Sequence, residues 1–244
     1  MDESEWISRI LHSSVPLRQL NSKRLPVRIA SGCLVDYLGK RLLLTVSHAT
    51  GNQENWAMEL GYEKNMGTKI YQLGAMHFLG KFSLDDLNVK DIDFSYVEVP
   101  KDLVPYRQNV HPNGDVLNQA QIKVFKPDFM SEPNEKERYG FAGTVMPSIE
   151  KHPWQTYFNA ELKVFHNLTY VRKHEDYYFF ELPIQHPGRE HFKGCSGSPI
   201  IDTKGNVVAL VCEGCPKTNM IYGISLKQYK LALDITFGGL ESPK

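Results

Sequence analysis

The chain has 244 residues, 28 acidic and 28 basic side chains and 41% hydrophobic residues. This is an ordinary globular composition, and the length suits one large β unit or two small domains. The zero net charge argues against a broad phosphate-binding surface, so we expect no nucleic-acid partner. No apolar run approaches the ~18 residues that a membrane span requires, so we expect no membrane partner.

The N-terminus and the cysteines favour a reducing compartment. Residues 1–14 are acidic and amphipathic and lack the basic start and apolar core of a secretory signal, so we predict a cytoplasmic protein with free thiols. Cys212 and Cys215 have CxxC spacing, but a structural zinc site needs four ligands and no second pair exists. We therefore predict no metal and no cofactor.

Helical patterns occur near the two ends of the chain, and short β-type runs occur between them. Residues 3–12 predict a helix that covers a core, and residues 226–235 predict a second helix. Residues 101–120 are polar and predict a crossing segment. The predicted strands are residues 27–30, 33–38, 41–46, 69–73, 75–79, 94–99, 140–143, 156–165, 168–172, 177–182, 199–201, 207–211 and 221–224. This pattern indicates an all-β protein with two antiparallel barrels or sandwiches.

Three short stretches carry residues that could perform chemistry. His48 follows an apolar strand in TVSHA, Asp93 opens a strand in DFSYVEV, and Ser196 lies in GCSGSP. Each has a plain structural interpretation: a core histidine bound to a carbonyl, a turn acceptor, and a β-turn. Acyl transfer through serine needs a hydroxyl, a base, a group that orients the base, and N–H groups aimed at the oxyanion.

In this order, the three stretches resemble the signatures of the trypsin-like (chymotrypsin-fold) serine peptidases, over about residues 27 to 235. The resemblance implies two six-stranded antiparallel β-barrels. We expect an N-terminal helix and arm at 1–25, a first barrel at 26–115 with His48 and Asp93, and a second barrel at 116–244 with Ser196 and the C-terminal helix.

The resemblance also implies roles for individual residues. His48 is the general base, Asp93 holds its tautomer, Ser196 is the nucleophile, and the N–H groups of Gly194 and Ser196 form the oxyanion hole. Asp91 competes with Asp93, but the position that should hold a small residue would then hold Asp93. Cys195 precedes the nucleophile by one residue, so we expect it to pack.

Two departures from the family concern its regulation. Secreted members pair a newly cleaved N-terminal amine with an aspartate just before the nucleophile, and Cys195 stands in that place. The oxyanion hole must therefore be ordered by the sequence alone, by a partner, or by an N-terminal clamp. The family's disulfide next to the histidine is also missing, since Thr50 follows Ala49. These departures resemble the intracellular and bacterial branches of the fold.

The resemblance places Glu190 at the base of the specificity pocket, six residues before Ser196. A carboxylate there would favour Lys or Arg before the scissile bond. The alternative is a loop 183–193 of different length, which would leave Glu190 as a solvated charge paired with Arg189 or Lys193. The predicted substrate-binding residues are Glu190, Cys212, Gly214 and Gly223.

These observations favour a serine endopeptidase that acts on a protein or peptide substrate. The alternative is a catalytically silent module that keeps the fold for peptide or protein binding. An esterase on the α/β-hydrolase fold is disfavoured, because that fold orders its triad Ser, Asp, His. Unrestrained proteolysis would harm a cytosol, so we hypothesise an activating protein partner that contacts residues 3–12 or 101–138.

Overall fold

The computed structural model describes residues 1–51, 54–83, 88–111, 113–152 and 156–238. The helices are α1 (Glu3–Leu11), α2 (Ser47–Thr50), α3 (Lys227–Phe237) and the 3₁₀ helix η1 (Arg189–Phe192). The strands are β1 (Val15–Leu20), β2 (Pro26–Tyr37), β3 (Lys40–Thr45), β4 (Trp56–Glu63), β5 (Gly67–Gln72), β6 (His77–Ser83), β7 (Asn88–Val99), β8 (Tyr106–Val110), β9 (Val116–Gln121), β10 (Val124–Phe125), β11 (Arg138–Lys151), β12 (Thr156–His174), β13 (Tyr177–Glu181), β14 (Pro199–Asp202), β15 (Val207–Cys215) and β16 (Met220–Ser225). In these ranges, no helix is both long and apolar enough to cross a membrane.

The first half of the chain forms a sheet with the strand order β5-β4-β1-β2-β3-β7-β6, and β10 pairs with β2 in parallel. Strand β1 lies in the segment that we expected as an N-terminal arm. Strand β2 runs without interruption through Ser31 and Gly32, where the sequence predicted a break. Strand β4 was not predicted.

A tight hairpin joins β2 to β3. Leu38 and Gly39 both have positive φ (45° and 76°), and Tyr37 pairs with Lys40. Two positive φ angles are typical of a type I′ turn, whose twist matches that of the flanking strands. The predicted strands 33–38 and 41–46 thus pair as a hairpin, with its turn at Leu38–Gly39.

The second half forms a closed barrel with the order β11-β12-β13-β16-β15-β14. The predicted all-β double-barrel architecture is confirmed. The first unit differs from the predicted six strands: it has eight in the described ranges, and its outer strands β5 and β6 do not pair there. The predicted crossing segment contains the separate hairpin β8–β9, and the expected boundary at 115/116 falls inside it.

Buried side chains connect the two units into one core. One cluster combines Leu34 and Phe94 of the first sheet with Ile201 and Leu210 of the barrel, and a second cluster fills the barrel interior. The strands that carry these residues are buried over four or more consecutive positions, so both of their faces are covered.

The N-terminal helix docks on the closed barrel. Trp6 and Ile10 are its buried residues, one turn apart on one face. The Trp6 ring meets the His166 ring of β12 edge-on, with 6.2 Å between centroids. A β-carbon on Gly140 of β11 would lie 2.4 Å from Ile10 Cδ1, so only glycine allows this approach. Helix α1 therefore covers the core, as its amphipathic pattern predicts.

Replacing Ile10 by alanine should destabilise the protein by about 2–5 kcal/mol, because a cavity would remain between α1 and the barrel. Urea titration measures this change in the free energy of unfolding. Ser8→Ala, on the exposed face of the same helix, is the matched control and should change it by less than about 0.5 kcal/mol. Equal effects of the two variants would contradict the docking of α1.

Candidate active site

His48 lies on the single helical turn α2, just after the apolar strand β3. Buried hydrogen bonds hold the end of this turn: the Thr50 hydroxyl donates to Val46 O (3.2 Å), and Trp56 Nε1 donates to Thr50 O (2.9 Å). The His48 side chain remains 46% exposed. The imidazole is thus held at its base and open to solvent at its edge.

Asp93 of β7 fixes the orientation of this imidazole. Its carboxylate lies 2.8 and 2.9 Å from His48 Nδ1, accepts the His48 backbone N–H at 2.9 Å, and accepts the Ser47 hydroxyl at 3.1 Å. Burial raises the pKa of Asp93, but the hydrogen bonds and charge of His48, with the neighbouring Cys212 thiol, outweigh burial and hold that pKa below its usual value. The ionised carboxylate is therefore an acceptor that keeps a proton on Nδ1.

Ser196 completes a chain of hydrogen bonds across the two units. Its Oγ lies 3.1 Å from His48 Nε2 and 3.1 Å from Cys212 O, so its single proton can be donated to either of these two acceptors. The structure thus brings His48, Asp93 and Ser196 together. Asp91 lines the same cleft, but its side chain is exposed and it is Asp93 that contacts the imidazole.

The loop before Ser196 forms a type II turn. Lys193 has φ −56° and ψ 123°, Gly194 has φ 97°, and the Cys195 N–H donates to Phe192 O at 2.9 Å. The third residue of such a turn requires positive φ, which glycine adopts without strain. Within the described residues, the N–H groups of Gly194 and Ser196 have no hydrogen-bond partner. Both donors are thus available to an oxyanion.

Ser31 of β2 braces this loop from the first unit. Its N–H donates to Ser196 O (2.8 Å), its hydroxyl donates to Gly194 O (2.7 Å), and its carbonyl accepts the Thr45 hydroxyl (2.7 Å). Gly197 has φ 90°, and a β-carbon there would lie 2.0 Å from Ser31 O. Sequence reasoning did not identify Ser31, because the loop that it holds lies more than 160 residues away.

All four cysteines are free thiols, and three are buried. Cys195 packs beneath the loop, where its Sγ lies 3.5 Å from Thr144 O, and burial raises the pKa of its thiol. Burial and the Asp93 carboxylate raise the pKa of Cys212 well above its usual value. Both thiols are therefore protonated near neutral pH. The described residues include no group of three or more metal-ligating side chains.

A cleft of about 1160 Å³ opens in front of Ser196. One side of it is an unpaired strand edge: residues 213–215 pair with β16, and no strand within the described residues pairs with their other side. An extended peptide could add to such an edge. The lining residues include Cys212 and Gly214 from β15, and Phe78, Leu79 and Ile92 from the first unit.

The prediction of Glu190 as a pocket base needs correction. Glu190 lies at the mouth of the cleft on η1, where its side chain is 81% exposed and forms an ion pair with Lys193. The 3₁₀ turn directs Phe192 inward and Glu190 outward, so the loop differs from the one that the resemblance implied. The prediction for Gly223 also needs correction: this residue does not line the cleft, since a β-carbon there would meet Ile200 and Leu210 in the barrel.

Comparisons with known proteins bear on the fold. No protein-family model matches the chain, and no curated protein matches it. A serine endoprotease from Yersinia pestis superposes with a TM-score of 0.56 at 10% identity, over 98% of this chain and 68% of that one. Human heparin binding protein superposes with a TM-score of 0.58 at 10% identity, over 97% of this chain and 94% of that one.

The chain has the chymotrypsin-like fold. At 10% identity, the likeness shows the fold alone, and the two similar structures are named for different functions, proteolysis and heparin binding. A function for this chymotrypsin-like chain must therefore be argued from its own side chains.

Ser31→Ala should slow the reaction of Ser196 with a fluorophosphonate about tenfold, because the buried Gly194 carbonyl loses its donor and the chymotrypsin-like loop can turn its N–H groups away. The measurement is the second-order labelling rate. Ser13→Ala is the matched control: this hydroxyl is equally buried but donates to Ile10 O in α1 and not to the loop, so labelling should not change. Equal labelling by both variants would show that Ser31 does not brace the loop.

Proposed function

We propose that the chain is a serine endopeptidase that works through His48, Asp93 and Ser196. The observation that carries this proposal is the continuous hydrogen-bonded chain from the Asp93 carboxylate through the imidazole to the Ser196 hydroxyl. It ends at the floor of a cleft, beside two N–H donors and a strand edge that have no partner among the described residues. A binding module alone would need neither the aligned base nor the free donors.

The first step is attack on the substrate carbonyl. Asp93 keeps the proton of the neutral imidazole on Nδ1, so the Nε2 lone pair accepts the proton of the Ser196 hydroxyl. The freed Oγ bonds to the carbonyl carbon, and the carbonyl oxygen gains negative charge. The N–H groups of Gly194 and Ser196 donate to this oxyanion.

The second step divides the substrate. The imidazolium donates its Nε2 proton to the leaving amine, the C–N bond breaks, and an ester joins the acyl group to Ser196. His48 then takes a proton from water, which attacks the ester, and the acid product leaves as Ser196 regains its proton. Asp93 remains ionised and stabilises the imidazolium in both halves of the reaction.

The loop before Ser196 is held by contacts within the chain, namely those of Ser31. This supports activity of the isolated chain without an activating partner. The exposed, ion-paired position of Glu190 gives no support to cleavage after Lys or Arg.

The purified protein should react with a fluorophosphonate probe at one site and hydrolyse peptide bonds in a fluorogenic peptide library. Ser196→Ala should abolish both reactions. Asp93→Asn should slow them roughly 10⁴-fold, because an amide N–H facing Nδ1 moves the ring proton to Nε2.

Asp91→Asn is the matched control, since Asp91 lines the cleft two residues away without a contact to His48 in the structure. It should retain labelling and hydrolysis within a few fold. No labelling of the pure protein would favour the silent binding module, whereas labelling that requires a cell lysate would show that a partner orders the site. Labelling that survives in Ser196→Ala would place the nucleophile elsewhere.

A further inference from the structure

A buried imidazole lies behind the wall of the cleft. His186 exposes only 7% of its surface, and its ring packs edge-on against Phe192, a lining residue, with 4.9 Å between centroids. Its Nε2 faces Gly214, another lining residue, where a β-carbon would lie 2.2 Å away. The imidazole therefore occupies the space that a side chain at position 214 would fill.

Hydrogen bonds fix the position and the tautomer of this ring. The Gly188 N–H donates to His186 Nδ1 at 3.0 Å, and the His186 backbone N–H donates to Asn219 Oδ1 at 2.8 Å. Burial lowers the pKa of His186, so the ring is neutral near pH 7. A neutral ring whose Nδ1 is an acceptor carries its proton on Nε2.

This Nε2–H donor has no hydrogen-bond partner in the described part of the chain. Native proteins seldom leave such a buried donor unsatisfied, because the lost hydration is not replaced. The donor faces the segment that lines the cleft next to Ser196. An acceptor oxygen on a bound substrate would supply the missing partner.

The charged residues at the cleft mouth restrict which chemical group of a substrate could supply this acceptor oxygen. Arg189 pairs with Glu213 at 3.3 Å, the Tyr222 hydroxyl donates to Glu213 at 2.6 Å, and Lys193 pairs with Glu190. These cations already have acidic partners, so a substrate carboxylate against His186 would be buried without a counter-ion, and an ammonium would meet a donor. A carboxamide offers an acceptor oxygen and no charge.

We propose that His186 forms a specificity subsite for a neutral carboxamide side chain, glutamine or asparagine, on the substrate residue whose carbonyl Ser196 attacks. The inference rests on the proposed peptidase function. Phe192 and Gly214 both line the cleft in front of Ser196, so with that carbonyl oxygen at the Gly194 N–H the side chain of the same residue points toward the wall behind which His186 lies. The subsite replaces the expectation of Lys or Arg that depended on Glu190.

The test is a panel of fluorogenic peptides that differ only at this residue, with Gln, Asn, Leu, Glu and Lys. The wild-type protein should cleave the Gln or Asn peptide with a kcat/KM at least about tenfold above the others, because a site that donates to a polar group rejects analogues that lack it. A preference for Lys, or no preference among the five, would overturn the proposal.

His186→Phe keeps an aromatic ring against Phe192 but removes the donor, so the ratio of carboxamide to Leu cleavage should fall towards one. His191→Phe is the matched control: the His191 ring also contacts Phe192, at 5.5 Å, and should leave the ratio unchanged. An unchanged ratio in His186→Phe would also overturn the proposal.

A binding measurement separates this inference from the proposed function. In the Ser196→Ala protein, the ¹H–¹⁵N signal of His186 Nε2 should shift when the Gln peptide is added and remain in place with the Leu peptide. If fluorophosphonate labels Ser196 but the signal does not move, the subsite is wrong and the peptidase stands. If the signal moves without labelling, the peptidase is wrong and the carboxamide site stands.

Discussion

The site depends on one close approach between the two halves of the chain. Ser31 O lies 2.0 Å from where a β-carbon on Gly197 would be, and the N–H and hydroxyl of Ser31 bind the carbonyls of Ser196 and Gly194. The base belongs to the first unit and the nucleophile to the second. This contact sets the distance between them, and any side chain at position 197 would push the units apart by more than the 3.1 Å hydrogen bond tolerates.

Electrostatics act on the geometry that this contact provides. Asp93 is mostly buried, and burial alone would favour its neutral form. The hydrogen bonds of His48 reverse that preference, so the carboxylate stays charged and Nδ1 stays protonated. Cys212 beside it keeps its proton, because both burial and the Asp93 charge raise the pKa of the thiol. The Cys212 sulfur is thus not a second anion beside Asp93, and the Asp93 carboxylate is the charge that orients the imidazole.

Features coded by neighbouring residues could be predicted from the sequence. The β2–β3 hairpin follows from two strand-like runs around Gly39, and α1 follows from its apolar face. The stretches around His48, Asp93 and Ser196 were recognisable because each is short and contiguous. Strand β4 was missed, although it is half-buried, because its pattern is irregular and a register shift between Glu59 and Gly61 interrupts its pairing. Such strands are defined by their partners rather than by their own alternation.

The roles of Ser31 and Glu190 could not be predicted from the sequence, because they too depend on contacts with distant residues. Ser31 looked like a break in a strand, and only its contact with Gly194 gives it a role. Glu190 was misplaced because its position was counted back from Ser196, whereas the 3₁₀ turn of η1 changes which residues face the cleft. His48 and Asp93 lie on α2 and β7, and Ser31 holds the loop that carries Ser196, so the backbone at all three residues is fixed by hydrogen bonds. The loop from Leu182 to Lys193 has no such constraint, so the character of the cleft wall is set by whichever side chains that loop buries. Here it buries Phe192 and His186 against Gly214 and leaves its charged residues in solvent. The part of the wall formed by Phe192, His186 and Gly214 is therefore uncharged and contains the His186 Nε2 donor, a property that neither the fold nor the motif around Ser196 determines.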